Sequence, residues 1–302
     1  MAVGGRHAEH MTRAVIGTLL LFLVTTPWPS ANACSFLATT QRITNLEYVN
    51  YFLQFRGPDY TGFLPNHAGA GFDFVHNLLH QTGAMTKQPF VSTDGKTVAL
   101  FNGEIYNYKD LEATLRPNGP PYTSDGQCVL EAYARWGDAF PDRLDGEFAI
   151  AVFDLAARVI VVTTDQFAIK PLWLALPQQS GGVSSSSFGV SSYRSALVRA
   201  GHPEDAIRQL DANTVLSFEF QRAAGPRSAP TNFRRTRRHA PVQWDVRQHK
   251  TTTDDWERAF EAAVAKRVRG AIHPLYLPLS SGYDSGAVHL AMHRLGVRHA
   301  TY

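Results

Sequence analysis

The sequence predicts an α+β domain built on antiparallel sheets, followed by the opening of an α/β domain. Three observations carry this expectation. Asp94-Gly95 lies between two β-prone runs and leads into T-V-A-L-F at 97–101, a strong short-range hairpin signal. F-A-I-A-V-F-D at 148–154 and R-V-I-V-V-T-T at 158–164 are joined by a short turn and read as a second hairpin. Strands connected this way, with helices grouped between them, favour antiparallel sheets. Beyond residue 271 an apolar strand, a Ser/Gly turn and a helix follow one another, the order that opens an α/β sheet.

The elements follow in chain order. S-F-L-A-T-T at 35–40 reads as a short strand. Thr44 and Glu47 have capping-box spacing, and Leu46, Val49 and Leu53 then recur at helical spacing. That helix is expected to end near Arg56-Gly57-Pro58, because proline disfavours helix in the residue before it. Ser124 and Gln127 form a second capping box, opening a helix through about Trp136. The Gly- and Ser-rich segment 180–192 reads as a surface loop. Residues 221–250 are polar and basic, with R-R-T-R-R at 234–238. No aromatic platform accompanies that charge, so a linker is expected there rather than a nucleic-acid surface. Residues 254–269 have an amphipathic helical pattern, 272–279 an apolar strand, and a further helix is expected from about Gly286. The sequence stops at Tyr302 where another strand is due, so the α/β domain is expected to be incomplete.

With 302 residues, 44% hydrophobic and 18% charged, the chain has the composition of a globular protein. It has room for one full domain and part of another. A net charge of +3 is too small to point to nucleic acid. The two cysteines, Cys34 and Cys128, are too few for a disulfide framework, and no metal-ligand spacing occurs. Cys128, within the 124–136 helix, reads as packing. At the N-terminus, Arg6 and Arg13 precede an apolar run at 14–24, then Pro27, Pro29 and Ala31-Asn32-Ala33. This is the pattern of a secretory signal, too short to span a bilayer; an organellar presequence or a gene-model artefact is the alternative. Cleavage after Ala33 would make Cys34 the first residue. A thiol with a pKa of about 8.5 needs a base to attack an amide at neutral pH. A free α-amine, with a pKa of about 7.7–8.0, is such a base. A catalytic Cys34 therefore requires removal of residues 1–33; a cysteine that merely follows a cleavage site, lipid-modified or not, is the alternative reading.

Several strings occur in order: C-S-F at 34–36, R-G-P-D at 56–59, F-N-G-E-I-Y-N-Y at 101–108, S-D at 124–125, L-D-G-E-F-A at 144–149 and I-K-P-L at 169–172. Through them the chain resembles the class-II (N-terminal nucleophile) glutamine amidotransferases, and most closely the glutamine-hydrolysing asparagine synthetases. The resemblance runs from Cys34 to about Phe220 and resumes at Asp254. It implies a four-layer αββα sandwich of antiparallel sheets over 34–220, then the truncated start of an ATP-pyrophosphatase-type domain over 251–302. It also implies a glutaminase site. Cys34 would form a thioester with glutamine. The Asn102 side-chain amide and the Gly103 N–H would make the oxyanion hole, a type of contact that stabilises a transition state strongly. Arg56 would grip the α-carboxylate through its planar fork, and Glu104 and Asp125 would hold the α-ammonium.

L-S-S-G-Y-D-S at 279–285 resembles the S-G-G-x-D-S pyrophosphate loop of ATP pyrophosphatases. Ser280, Ser281, Gly282, Asp284 and Ser285 would then receive the phosphates of ATP, with Mg²⁺, at a helix N-terminus. Such a ligase would adenylate an acidic acceptor such as aspartate. Ser281 stands where the pattern has its first glycine, which predicts a strained backbone or a looser approach to phosphate. Three other strings depart from the family pattern. D-R-x-G-I-K-P-L becomes D-Q-F-A-I-K-P-L at 165–172, S-S-E becomes Ser191-Ser192-Tyr193, and P-G becomes Ala212-Asn213. They are expected to lie outside the proposed glutamine site and suggest a divergent branch whose acceptor need not be aspartate. His76, in V-H-N-L-L, lies where the family often has histidine; no catalytic role is assigned to it.

The leading expectation is a glutamine-dependent amidotransferase of the asparagine synthetase type. A stand-alone glutaminase or amide hydrolase, and a non-catalytic domain of the same fold, are the alternatives. Neither nucleic acid nor a membrane span is expected, and homodimerisation is left open. The presequence suggests secretory or organellar entry, whereas the resemblance suggests the cytoplasm.

Overall fold

The run F-A-I-A-V-F at 148–153 is apolar at every position, which suits a strand covered on both faces. The computed structural model shows that arrangement. It describes residues 33–81, 83–177, 179–180, 183–184, 187–222, 230–238, 247, 249–269, 271 and 274–302. The chain forms two compact units, residues 30–244 and a C-terminal one from 245 to 302.

The strands of the first unit are β1 (Ser35–Thr39), β2 (Tyr60–Leu64), β3 (Asp73–Leu78), β4 (Phe90–Val91), β5 (Thr97–Ile105), β6 (Gly146–Asp154) and β7 (Val159–Thr164). They continue with β8 (Trp173–Ala175), β9 (Gln179–Ser180), β10 (Val183–Ser184), β11 (Gly189–Ser191), β12 (Ile207–Gln209), β13 (Val215–Arg222) and β14 (Pro230–Arg238). One six-stranded sheet runs β12-β8-β11-β1-β3-β2, the other β14-β13-β7-β6-β5-β4. Every pairing in both sheets is antiparallel.

Alternation along the strands divides the side chains between layers. Ala149, Ala151 and Phe153 of β6 face the other sheet and pack with Phe36, Phe74 and Val190. Phe148, Ile150 and Val152 face outward onto Cys128, Val129 and Ala132, with the helices Tyr108–Leu115 and Cys128–Trp136 above them. On the far side of the first sheet, Leu37 and Val75 pack against Val49, Leu53, Ala196 and Leu197. The result is the expected αββα sandwich. Between the sheets the core is aromatic: Phe153 lies 4.9 Å from Phe74 and 5.1 Å from Phe72, ring centre to ring centre, and Phe188 stacks on Phe233 at 4.9 Å.

Both hairpins form. Gly95 supplies a left-handed residue (φ +72°) between β4 and β5, and Asp154 accepts from the N–H groups of Ala156 and Ala157 at the β6–β7 turn. Several boundaries differ from expectation. The first helix covers only Leu46–Asn50, continues as hydrogen-bonded turns, and is capped by Asn45, whose side chain accepts from Tyr48 N–H. Thr44 is one residue too early to cap it. The segment 180–192 is not wholly a loop, because Gly189–Ser191 is the buried strand beside β1. A Cβ on Gly189 would lie 2.6 Å from His202 and 2.7 Å from Leu197, so close packing selects the glycine that made the sequence look like a loop. The expected linker at 221–250 is not a linker throughout. Pro230–Arg238, including the basic run, forms the edge strand β14 against β13, where the exposed Arg234 and Arg235 suit a sheet edge. Apart from Ala33, the presequence lies outside the described residues, as does most of 239–248.

The C-terminal unit contains the helix Asp254–Val268, β15 (Tyr276–Leu277), the helix Tyr283–Arg294 and β16 (Ala300–Thr301). β15 and β16 pair in parallel around the second helix, and Val264, Leu277, Val288, Ala291 and Met292 form the core. The described part of the expected 272–279 strand is only two residues long, and the helix begins three residues before Gly286. Among the described residues no helix is long and apolar enough to cross a membrane.

Candidate active site

Cys34 sits at the start of β1, between β11 and β3 in the middle of the first sheet. The next residues are firmly held. Ser35 Oγ donates to Leu53 O at 2.7 Å, Phe36 N–H donates to Ser192 Oγ at 3.0 Å, and Phe36 O accepts from Ser191 Oγ at 2.9 Å. Cys34 is 9% exposed. Leu79 N–H donates to Cys34 Sγ at 3.3 Å, and the thiol points back toward Leu79 O at 3.6 Å. Burial pushes its pKa up to about 12, opposed by the Leu79 hydrogen bond. The charges of Glu104 and Asp125 raise it further and that of Arg56 lowers it. All three charged candidates are therefore close enough to act on the sulfur, although they come from segments 22 to 91 residues away in sequence.

Arg56 is placed by the turn that follows the first helix. Arg56 N–H donates to Leu53 O, and Asp59 N–H to Leu78 O. Gly57 lets this turn lie against β3, since a Cβ there would be 2.2 Å from Asn77 O. Beneath it, Asn77 exchanges side-chain hydrogen bonds with Asn50, accepts from Thr61 and donates to Ser35. R-G-P-D is thus a packing requirement as well as a source of one guanidinium. Arg56 is in no ion pair among the described residues.

Asp125 opens a 3₁₀ turn that leads into the helix Cys128–Trp136. The Gln127 side chain accepts from Thr123 N–H and Ser124 N–H, as the capping box predicts. The Asp125 carboxylate accepts from Ile105 N–H and Gly126 N–H, both at 2.8 Å. Its pKa is raised to about 6 because burial outweighs those hydrogen bonds. Below that pH it is protonated and cannot pair with an ammonium. For a glutaminase using an α-amine base of pKa about 7.7–8.0, kcat/KM should fall with a slope of one below that value. The slope should steepen toward two below pH 6. Asp125→Asn should lower kcat/KM and return the slope to one, read from initial rates between pH 5 and 9.

Asn102 and Gly103 lie within β5, paired with Ala149 and Phe148 of β6, so Asn-Gly makes no turn here. Asn102 is fully buried, and neither side-chain amide atom has a hydrogen-bond partner among the described residues. Leaving both unpaired costs about 1–3 kcal/mol per group, and buried polar groups without partners concentrate at functional sites. Gly103 has φ +150°, and a Cβ on it would lie 1.9 Å from Glu147 O. Beside them, His76 Nε2 is 2.9 Å from Phe101 O. A carbonyl only accepts, so Nε2 carries the proton and the unpartnered Nδ1 is bare. Burial lowers the His76 pKa to about 4, keeping the ring neutral. His76 thereby ties β3 of one sheet to β5 of the other, next to Asn102.

The Cys34 thiol with the charges of Arg56, Glu104 and Asp125 acting on it, and the buried Asn102 amide without a partner among the described residues, would together suit a small zwitterion bearing a second carbonyl. Residues 33–257 match the family described as "Glutamine amidotransferase domain". The chain belongs to that family. Asparagine synthetase 2 (glutamine-hydrolyzing) of Bacillus subtilis is 35% identical over 122 residues, 40% of this chain and 16% of that protein. The probable asparagine synthetase of Schizosaccharomyces pombe is 29% identical over 241 residues, 78% of this chain and 39% of that protein. The chain thus spans well under half the length of these relatives. Among solved structures, the glutamine phosphoribosylpyrophosphate amidotransferase of B. subtilis aligns with a TM-score of 0.47 at 17% identity, over 62% of this chain and 47% of that one.

Other parts of the amidotransferase domain become intelligible only in three dimensions. Glu147 accepts from Tyr106 OH at 2.8 Å and lies 3.7 Å from Lys170 Nζ, so L-D-G-E-F-A and I-K-P-L meet as a buried pair beside Gly103. Asp165 accepts from Phe148, Phe167 and Ile169 N–H groups and organises the intervening loop. In that loop Ala168 has φ +50°, at the position where D-R-x-G-I-K-P-L carries glycine. Left-handed alanine is strained, so Ala168→Gly should stabilise the domain by about 1 kcal/mol, read from the urea unfolding midpoint. Leu79, whose N–H donates to the Cys34 sulfur, was not legible in the sequence. Leu79 acts through its backbone, which no side-chain pattern reports.

In the C-terminal unit Ser280 N–H donates to Ser285 Oγ at 3.1 Å, the two hydroxyls are 3.0 Å apart, and Gly282 N–H donates to Ser280 Oγ at 3.1 Å. The helix Tyr283–Arg294 begins without a side-chain cap. Ser281 is exposed and is not among the residues with positive φ. The strain expected from its Cβ is therefore absent, because the turn reaches the helix without a left-handed residue at 281.

Proposed function

We propose that the first unit hydrolyses glutamine to glutamate and ammonia through a Cys34 thioester. We further propose that the ammonia serves an ATP-dependent, acyl-adenylating reaction of the asparagine synthetase type. The observations that carry the first part are the charges of Arg56, Glu104 and Asp125 that act on Cys34, and the buried Asn102 amide, which has no partner among the described residues.

Once Cys34 is the first residue, its α-amine takes the thiol proton as Sγ attacks the side-chain amide carbon of glutamine. The Asn102 side-chain NH₂ and Gly103 N–H receive the developing oxyanion. The C–N bond breaks, the departing nitrogen takes the proton from the α-ammonium, and ammonia leaves. Water then attacks the thioester, regenerating the thiol and releasing glutamate. Arg56 holds the α-carboxylate through two N–H donors, and Glu104 and Asp125 hold the α-ammonium.

For the second part, the uncapped N-terminus of the helix Tyr283–Arg294 and the small residues before it suit a phosphate. Ser280, Ser281, Gly282, Asp284 and Ser285 would hold ATP with Mg²⁺, which when bound supplies the activation of a carboxylate acceptor such as aspartate. The acceptor and any homodimer belong to this same proposal. The test of the glutaminase is release of equal ammonia and glutamate from L-glutamine by protein starting at Cys34, with Cys34→Ala as control. No release from a chain whose first residue is verified as Cys34 would overturn it.

A further inference from the structure

We infer that Tyr193 is a positioning residue for Arg56, setting the grip on the α-carboxylate of glutamine; this rests on the glutaminase reading above. The Arg56 Cζ lies 5.5 Å from the centre of the Tyr193 ring, within the range of a cation–π contact. The Tyr193 backbone is anchored from two directions. Tyr193 N–H donates to Ser191 Oγ at 3.2 Å, and Tyr193 O accepts from Ala196 N–H at 3.2 Å as the helix Arg194–Arg199 begins. The half-buried side chain packs against the apolar cluster that holds Leu37, Val49 and Leu53.

The same tripeptide holds the nucleophile's strand. Ser191 Oγ and Ser192 N–H both donate to Phe36 O, at 2.9 and 3.0 Å, and Ser192 Oγ accepts from Phe36 N–H at 3.0 Å. Ser191-Ser192-Tyr193 therefore sets the backbone two residues from Cys34 and the location of the Arg56 guanidinium together. Any shift of β11 moves both, so the distance from attacking sulfur to carboxylate anchor is held by one short segment.

The kind of contact matters. A ring face attracts a guanidinium without using its N–H groups, which lie in the guanidinium plane. Arg56 keeps its donors for a bidentate carboxylate. A carboxylate at 193, as in the S-S-E pattern this chain departs from, would draw on the same donors and cancel part of the charge.

The test compares steady-state kinetics of glutamine hydrolysis by the full chain processed to Cys34, with Tyr193→Leu, Tyr193→Phe, Arg56→Gln and the double variant Arg56→Gln/Tyr193→Leu. Leucine keeps the apolar bulk and removes the aromatic face; phenylalanine keeps the face. Tyr193→Leu should raise KM roughly 3- to 30-fold, the range of a cation–π contact, with kcat within about twofold. Tyr193→Phe should match the parent. In the Arg56→Gln background Tyr193→Leu should add nothing, since its only route to substrate is gone. An active parent with unchanged KM in Tyr193→Leu overturns the inference, as does a fall in kcat alone or an undiminished effect without Arg56. A parent that hydrolyses no glutamine overturns the glutaminase reading and this inference with it, a result distinct from an active parent that ignores Tyr193.

Discussion

Protein whose first residue is Cys34 should hydrolyse glutamine, and protein retaining Ala33 should lose about 10³-fold in kcat/KM, the scale of removing a positioned general base. The reason is local. Cys34 is buried, its sulfur receives one hydrogen bond from Leu79 N–H, and burial with two nearby carboxylates pushes its pKa up to about 12. His76 is buried and neutral, and its protonated nitrogen is committed to Phe101 O. An α-amine is the base that the Cys34 residue itself can provide, and a peptide bond to Ala33 abolishes its basicity. The comparison needs two preparations, one cleaved to expose Cys34 and one carrying a single preceding alanine. Intact mass should establish each N-terminus before ammonia release is measured. Equal activity in the two would remove the α-amine from the mechanism.

Asn102→Ala should lower kcat by about 10²–10³-fold, the usual effect of deleting one oxyanion donor, with KM nearly unchanged. What separates this from a structural role is stability. A buried side chain bonded into the fold would destabilise when truncated, but both Asn102 amide atoms lack partners among the described residues. Removing them relieves a desolvation cost of about 1–3 kcal/mol per group, which offsets the lost packing. The urea midpoint of Asn102→Ala should therefore stay at or above that of the parent while turnover collapses. A large loss of stability with turnover intact would make Asn102 a core residue instead. Gly103 cannot give so clean a result: at φ +150°, with Glu147 O 1.9 Å from any Cβ, its alanine variant disturbs the β5–β6 pairing itself.

The chemistry of the candidate site was legible in the residues. Cys34 beside a small-residue cleavage pattern, Arg56 before Gly-Pro, Asn102-Gly103-Glu104 and Ser124-Asp125 are identifiable because functional groups belong to single residues. Their order along the chain survives any uncertainty about strands. The two hairpins were legible for a related reason, since Asp94-Gly95 and the Asp154 turn are short-range devices. The central strand Gly189–Ser191 was not, because a three-residue strand of small side chains has no periodicity and its glycine is chosen by His202 and Leu197 across the packing. β14 was hidden by its charge, which reflects an edge position rather than a linker.

By itself, then, the sequence determined which groups this amidotransferase domain carries and in what order. Only the tertiary structure decided that Arg56, Glu104 and Asp125 act on one sulfur and that the Asn102 amide is left without a partner among the described residues. It also decided that Tyr193, a departure without evident reason in the sequence, faces Arg56. Residue identity is a local property. Burial, partner loss and the meeting of distant charges depend on strand register and sheet stacking, which are set by contacts far apart in sequence.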